Sequence, residues 1–162
     1  MTSVAGILSS TDIFEELTPT QLDLVAAICE SATFQKGDVL LQENESSDEM
    51  YVIVDGAIEV IVDPSAIVYE SDMAPIVLTE LRRGQVFGEI ALVDQGVRTA
   101  TVRVSRDETQ LLRIPRQRLM LLCDTYPELG YKIMKNLAAD LAFKIRKTDL
   151  TIRQYQLMLS AD

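Results

Sequence analysis

Residues 84–102 read GQVFGEIALVDQGVRTATV, a stretch in which glycines border a short helical pattern that is followed by an arginine. Phe87 to Leu92 can form one or two helical turns, and a helix entered from a glycine presents main-chain N–H groups that attract an anion. Arg98 is the only cation of this segment. If the loop folds back, its guanidinium and the N-terminus of the helix converge on one phosphate group.

Glu89, in the same segment, points to a sugar on the ligand. A carboxylate repels a phosphate, so Glu89 is better explained as the acceptor for a ribose hydroxyl, or else as a charge that stabilises the helix N-terminus. A nucleoside triphosphate would require a Walker lysine and a magnesium ligand, which the sequence lacks. The pattern predicts a ligand with one phosphate, one sugar hydroxyl and a base.

The composition argues against several other kinds of site. Fifteen Lys and Arg against 25 Asp and Glu give a net charge of −10, so we expect neither nucleic acid nor an anionic membrane as a partner. The chain contains no histidine, the commonest general base near neutral pH and the commonest metal ligand. We therefore expect no catalytic residues, no metal and no cofactor. Cys29 and Cys123 share no metal-binding spacing and are predicted to be reduced packing residues.

The N-terminus gives no sign of export. Its sequence, MTSVAGILSS, lacks a basic start and a sustained apolar run, and the chain has no stretch of about 18 apolar residues. We expect a cytoplasmic protein.

The central part of the chain has the pattern of an all-β body. Short runs rich in Val, Ile, Leu and Thr alternate with turns at Lys36-Gly37-Asp38, Asp55-Gly56 and Arg83-Gly84, which favours an antiparallel sandwich or jelly roll. Asp55-Gly56 is predicted to be a hairpin turn. The predicted strands are 39–42, 50–54, 57–62, 76–80, 99–104 and 110–114, with a long loop from Asp63 to Pro75.

Helices are predicted at both ends of this body. Thr18 and Gln21 form a capping box around Pro19, which predicts an amphipathic helix over residues 19–30. Pro115 begins a second helical region, and Pro127 begins a third that extends to about Leu159.

The last helix carries a spaced apolar pattern with two explanations. Six positions recur at alternating intervals of four and three residues, as in a coiled-coil seam. The helix could pack on its own sandwich, or it could form a parallel dimer. The six positions are Leu141, Ile145, Thr148, Ile152, Tyr155 and Leu159.

The run FGEIALVDQGVRTATV resembles the phosphate-binding cassette of the cyclic-nucleotide-binding domain family. The family pattern is FGE, a small apolar stretch, and then an arginine followed by a small residue and alanine. The Lys36 to Asp38 turn, the Met50 to Gly56 stretch and the helix after Pro115 also lie where that family places them. The resemblance covers about residues 10–145.

The resemblance implies a mainly β jelly-roll sandwich with an N-terminal helix and a long C-terminal helix. It implies one domain over residues 1–162: a helix and jelly roll over about 10–125, and a lid or dimerisation helix over 127–160. By position, Arg98 would bind the cyclic phosphate and Glu89 the ribose 2′-hydroxyl. Gly88, Ile90 and Ala91 would offer main-chain groups, and Thr99 a hydroxyl. The implied ligand-binding residues are Phe87, Gly88, Glu89, Ile90, Ala91, Arg98, Thr99, Ala100, Lys144 and Thr148.

The implied function is a receptor for cyclic AMP or cyclic GMP, with no preference readable from Thr99. Ligand binding would be transmitted through the C-terminal helix to a homodimer or to an unidentified effector protein. The alternative is a ligand-free scaffold for protein–protein interaction. An enzyme acting on cyclic nucleotides is not supported by any residue pattern in the chain.

Overall fold

The computed structural model describes residues 3–62, 74–94, 96, 98 and 100–161. Within these residues the fold is an antiparallel β jelly roll with helices at both ends of the chain, as the sequence predicts. Its eight strands are β1 (Glu30–Phe34), β2 (Val39–Leu41), β3 (Glu49–Asp55), β4 (Ala57–Val62), β5 (Ile76–Arg82), β6 (Val86–Phe87), β7 (Thr101–Val104) and β8 (Thr109–Pro115).

The strands form two four-stranded sheets, in the orders β1-β8-β3-β6 and β2-β7-β4-β5. Because side chains alternate between the faces of a strand, the first sheet has two buried faces. Val52 and Leu112 belong to the core shared with the helices, whereas Ile53 and Leu111 belong to the core shared with the second sheet. The sheet that contains β3 and β8 therefore lies between the second sheet and the helices.

All six predicted strands are present, but two others were not predicted. β1 has only partly buried or exposed residues, so it lacks the apolar alternation that marks a strand. β6 is two residues long, which is too short to show any period. The strand predicted from Thr99 begins at Thr101, and Thr99 lies outside the described residues. Of the predicted loop from Asp63 to Pro75, residues 63–73 also lie outside them.

The prediction that Asp55-Gly56 forms a hairpin is wrong. β3 and β4 follow one another directly but belong to different sheets, so the chain changes sheet at Gly56. Gly56 has a positive φ of 97°, and a side chain there would collide with Thr109 of β8. Glycine is needed because the chain turns against that strand. The same local signal is shared by hairpins and by such crossings.

The helices are α1 (Val4–Ser9), α2 (Pro19–Ile28), α3 (Arg116–Thr125) and α4 (Pro127–Ser160), with a one-turn 3₁₀ helix at Asp12–Phe14. The capping box of α2 is confirmed: Thr18 Oγ1 accepts from the Gln21 N–H, and Gln21 Oε1 accepts from the Thr18 N–H. The helix ends at Ile28, earlier than the predicted residue 30, because Cys29 is extended and Glu30 already pairs with Arg113 in β8.

The apolar contacts of α4 with the body come from its first half. Leu129, Ile133 and Leu137 are buried, and Leu141 packs against the same core. Residues 142–161 are all exposed, so packing of the distal seam on the chain's own sandwich, one of the two explanations above, is wrong for this part of the described helix. The exposed apolar seam positions are Ile145, Ile152, Tyr155 and Leu159. No helix in the described part of the chain has the length and hydropathy needed to cross a bilayer.

Candidate functional site

Gly88 determines how the chain enters the site. It follows β6 with a φ of 79°, in the left-handed region, and leads into a one-turn 3₁₀ helix at Glu89–Leu92. A Cβ atom added at Gly88 would lie 2.7 Å from the carbonyl oxygen of Glu49, so the turn is pressed against the start of β3. On its N-terminal side, Phe87 stacks on Tyr51 with ring centroids 4.9 Å apart. The turn is thus fixed by backbone conformation on one side and by an aromatic pair on the other.

Arg98 is held by the loop between β2 and β3, residues 42–48, which we call the β2–β3 loop. The Arg98 N–H donates to the Glu45 carbonyl at 2.9 Å, and the Asn44 N–H donates to the Arg98 carbonyl at 2.8 Å. The guanidinium Nη2 donates to the carbonyl oxygens of Ser47 at 3.1 Å and Glu49 at 3.4 Å. Main-chain contacts therefore orient both the backbone and the side chain of this arginine.

The guanidinium of Arg98 has unused capacity to donate hydrogen bonds. Its Nε is buried and has no hydrogen-bond partner within the described residues. Burial lowers the pKa of Arg98, and attraction to Glu89, Tyr51 and Asp48 partly offsets this effect. Arginine remains charged in proteins, so the side chain presents a partly desolvated positive charge. Leaving a buried donor unsatisfied costs about 1–3 kcal/mol, and an anion would remove that cost.

Glu89 is almost completely buried, with 4% of its surface exposed. Its carboxylate forms an ion pair with the Nζ of Lys144, which comes from α4. Lys144 also lies 3.0 Å from the carboxylate of Asp140, one turn earlier in that helix. Burial disfavours the charged form of Lys144, but its contacts with Glu89 and Asp140 outweigh burial and raise its pKa. The long C-terminal helix is thereby connected to the site through one side chain.

The main-chain groups of the 3₁₀ turn are not equivalent. The Ala91 N–H donates to the Gly88 carbonyl at 3.2 Å, and the Ala91 carbonyl accepts from Arg116 Nε at 3.0 Å. Both groups of Ala91 are thus engaged, which counts against the predicted role for its main chain. Glu89 and Ile90 precede the first hydrogen bond inside the turn, and such N–H groups have no partner within a helix. Ile90 is also half exposed.

Eight of the ten predicted site residues lie in the 84–102 segment, and the structure describes seven of them. Phe87 to Ala91, Arg98 and Ala100 are described, and Thr99 is the exception. Lys144 reaches this segment from α4. Thr148 is exposed and donates its hydroxyl to the Lys144 carbonyl within the helix, so its described contact is internal.

Two parts of the site were missed by the sequence reasoning. The carbonyls of Ser47 and Glu49 bind Arg98 through the main chain, and no residue type signals such a contact. Asp140 precedes Lys144 by four residues, so helical spacing could have identified it as a partner of that lysine.

A cleft of about 340 Å³ lies away from this site, between α1 and the β1–β8 pair. It is lined by residues such as Val4, Ile7 and Gln110, and none of its lining residues is charged. It offers no charge to hold a phosphate. Within the described residues, no group of His, Cys, Asp and Glu side chains could hold a metal ion.

The sequence pattern described as "Cyclic nucleotide-binding domain" matches residues 32–126, more than half of the chain. A cGMP-dependent protein kinase from Eimeria tenella is 30% identical over 110 residues, which cover 68% of this chain and 10% of the relative. A cAMP-dependent protein kinase regulatory subunit from Dictyostelium discoideum is 33% identical over 99 residues, which cover 61% of this chain and 29% of the relative. The chain therefore spans only a small part of these relatives.

The fold is also found in solved structures. The crystal structure of Thermus thermophilus catabolite activator protein superposes with a TM-score of 0.74. The alignment covers 90% of this chain and 63% of that chain at 24% sequence identity. At this identity the similarity is evidence of the fold alone.

Proposed function

The chain belongs to the cyclic nucleotide-binding domain family, and we propose that it is a receptor domain that binds cyclic AMP or cyclic GMP at the 84–102 segment. In this proposal residues 1–162 form one domain that acts in the cytoplasm. Its output is a change in the position of α4.

The observation that carries this proposal is the environment of Arg98. Among the described residues, the hydrogen bonds of its guanidinium go to main-chain carbonyls, which are neutral, and its buried Nε has no partner. A cyclic phosphate carries one negative charge and has oxygens that could accept from the guanidinium. Capture of an anion by a chain of net charge −10 requires a local cation of this kind.

In this proposal the remaining site residues take the roles that the family resemblance implies. Glu89 would accept the ribose 2′-hydroxyl, and Gly88 and Ile90 would offer main-chain groups to the ligand. Phe87 and Ala100 border the ligand on the two sides of the segment, and Thr99 supplies a hydroxyl. Lys144 and Thr148 belong to the part of α4 nearest the ligand, and Ala91 shapes the turn.

The identity of the base is left open between adenine and guanine. The relatives named above include a cGMP-dependent kinase and a cAMP-dependent regulatory subunit, at 30% and 33% identity. Both nucleotides are therefore candidates, and both belong in every binding experiment.

We propose that α4 transmits the signal through a homodimer to an effector protein. Residues 142–161 extend beyond the body with an exposed apolar seam at Ile145, Ile152, Tyr155 and Leu159. Such a seam is stabilised by a second copy of the same helix in a parallel coiled coil. A ligand that moves α4 would change the geometry of that dimer.

We also propose that the domain binds the nucleotide without converting it. Hydrolysis of a phosphodiester calls for a general base or a metal-activated water. The chain has no histidine, and the buried carboxylate of the site, Glu89, is paired with Lys144.

The competing function is a scaffold that binds no nucleotide. One observation favours it: the charged groups of the site already have protein contacts, because Lys144 holds Glu89 and the β2–β3 loop holds Arg98. The buried Nε of Arg98, which has no hydrogen-bond partner in the described part of the chain, favours the receptor.

Thermal melting in the presence of nucleotide separates the two functions. Cyclic AMP or cyclic GMP should raise the melting temperature in a concentration-dependent way, because a ligand that binds the folded state stabilises it by mass action. Linear 5′-AMP and 5′-GMP serve as controls. A melting temperature that neither cyclic nucleotide changes would identify the scaffold. Mass spectrometry after overnight incubation tests for conversion, and we expect the nucleotide to remain intact.

A further inference from the structure

Lys144 lies where α4 leaves the body of the protein. Leu137 is buried and Leu141 is packed against the core, whereas the residues from 142 onwards are exposed. The ion pair between Lys144 and Glu89 lies just beyond these contacts. It therefore joins the site to the first turn of the free part of the helix.

Lys144 compensates for the burial of the Glu89 carboxylate. Its side chain is 5% exposed, whereas that of Lys144 is 46% exposed. A buried carboxylate requires a charged partner or hydrogen bonds to remain ionised at low energetic cost. Lys144 supplies such a partner, and Arg98 attracts the same carboxylate from the other end of the segment.

The ion pair also limits access to Glu89. With so little of its side chain exposed, a sugar hydroxyl cannot reach the carboxylate unless a covering group moves. Lys144 contacts that carboxylate directly and is the more exposed member of the pair. It is also on a helix whose next turns are exposed. Lys144 is therefore the group that can move most easily.

We propose that Lys144 competes with the ligand's 2′-hydroxyl for Glu89, so that a nucleotide with this hydroxyl releases Lys144 and the distal part of α4. This inference rests on the receptor function proposed above and deepens it. A ligand can shift the position of α4 only by its different affinities for the two states. The exchange at Glu89 supplies this difference in affinity. Its carboxylate binds Lys144 of α4 before the ligand arrives, and the 2′-hydroxyl of the ligand afterwards.

The proposal assigns Lys144 a role opposite to a ligand contact. If Lys144 bound the nucleotide directly, its loss would weaken binding of every nucleotide. If it competes for Glu89, its loss strengthens binding, and only for ligands that have the 2′-hydroxyl. A ligand without this group does not need Glu89 and leaves the ion pair intact.

The test is calorimetric titration of wild type and Lys144→Met with cyclic AMP, cyclic GMP and their 2′-deoxy analogues. The competition predicts that Lys144→Met binds the parent nucleotide at least about fivefold more tightly, the low end of typical coupling between sites. Its affinity for the 2′-deoxy analogue should not change. Lys147→Met is the matched control: it removes the same charge from an exposed position one turn along the helix, and should leave both affinities at the wild-type values.

Each other result has a defined meaning. Weaker binding of both parent and analogue by Lys144→Met would overturn the competition and make Lys144 a ligand contact. Equal affinities in wild type and variant would overturn it as well. Binding by Lys144→Met where wild type shows none would support it. Absence of binding in every variant would instead overturn the receptor function itself.

A double variant guards against loss of folding. Lys144→Met leaves Glu89 without its partner, which could destabilise the turn. Glu89→Gln and the Glu89→Gln, Lys144→Met pair remove that charge and complete a double-mutant cycle. If Lys144 competes for Glu89, then Lys144→Met should not raise the affinity for the nucleotide in a protein that already carries Glu89→Gln. A gain of the same size in both backgrounds would contradict it.

Discussion

Arg98 donates from Nη2 to the carbonyl oxygen of Ser47 at 3.1 Å, so the main chain of the β2–β3 loop fixes the direction of its guanidinium. This contact orients the positive charge without neutralising it. A carboxylate in direct contact would orient the guanidinium and also neutralise its charge, and it would then compete with an anionic ligand. The acidic β2–β3 loop thus presents its carbonyls to the arginine and leaves the charge available for a phosphate.

The Gly88→Ala substitution should destabilise the protein more than Gly84→Ala. Both glycines have positive φ, and adopting that conformation costs a residue with a side chain about 1–2 kcal/mol. An added Cβ at Gly84 meets nothing within 4 Å, whereas at Gly88 it would lie 2.7 Å from the Glu49 carbonyl. Overpacking adds about 1–3 kcal/mol at Gly88. Urea denaturation measures both losses, and equal values would mean that the turn has room to relax.

The proposed dimer seam can be tested with two substitutions on opposite faces of α4. Ile152→Asp places a charge in the seam, and Leu150→Asp places the same charge two residues away on the outer face. Both side chains are about half exposed, so neither change should unfold the monomer. Light scattering should show a dimer for wild type and Leu150→Asp, and a monomer for Ile152→Asp. A wild-type monomer, or a dimer in all three, would exclude this seam.

The folded state should lose stability in mildly alkaline solution because of Cys29. Burial raises the pKa of its thiol from 9.0 to about 12, so the folded protein keeps a proton that the unfolded chain loses. The contribution of the protonated Cys29 thiol to the free energy of unfolding is complete below pH 9.0. It decreases as the pH rises towards the pKa of about 12 that the thiol has in the folded protein.

Melting temperatures measured at about pH 8 and about pH 9.8 test this effect. Both pH values lie below the ordinary pKa of tyrosine. Burial also raises the pKa of Tyr51 from 10.0 to about 12, so its own contribution to the loss of stability begins near pH 10 and is smaller than that of Cys29 at about pH 9.8. Cys29→Ala should show a smaller decrease between the two pH values than wild type does. The same decrease in both proteins would show that the thiol is not the cause.

Much of the fold could be predicted from the sequence because several signals are local. The Thr18–Gln21 capping box determines the start of α2 within four residues of chain. β3, β4 and β8 each carry enough buried apolar residues to be recognised as strands. The crossing at Gly56 could not be predicted, because the choice between pairing with the previous strand and changing sheet depends on Thr109, which is distant in sequence.

The site shows the same division. Glu89 and Arg98 could be identified because their residue types and spacing have a chemical meaning. The contact of Lys144 with Glu89 joins residues 55 positions apart, and it depends on how α4 crosses the body. The sequence placed Lys144 near the ligand, but it did not indicate that the lysine pairs with the carboxylate expected to bind the sugar.

Calorimetric titration of cyclic AMP and cyclic GMP into wild type and Arg98→Ala tests the receptor function most directly, with Arg82→Ala as a control. Arg82 is an exposed arginine paired with Glu80 in β5. Loss of a charged hydrogen-bond partner should weaken binding in Arg98→Ala by at least about 2 kcal/mol, roughly thirtyfold, while Arg82→Ala keeps the wild-type affinity. If Arg98→Ala binds as tightly as wild type, the phosphate is not held by this arginine and the proposed site is wrong.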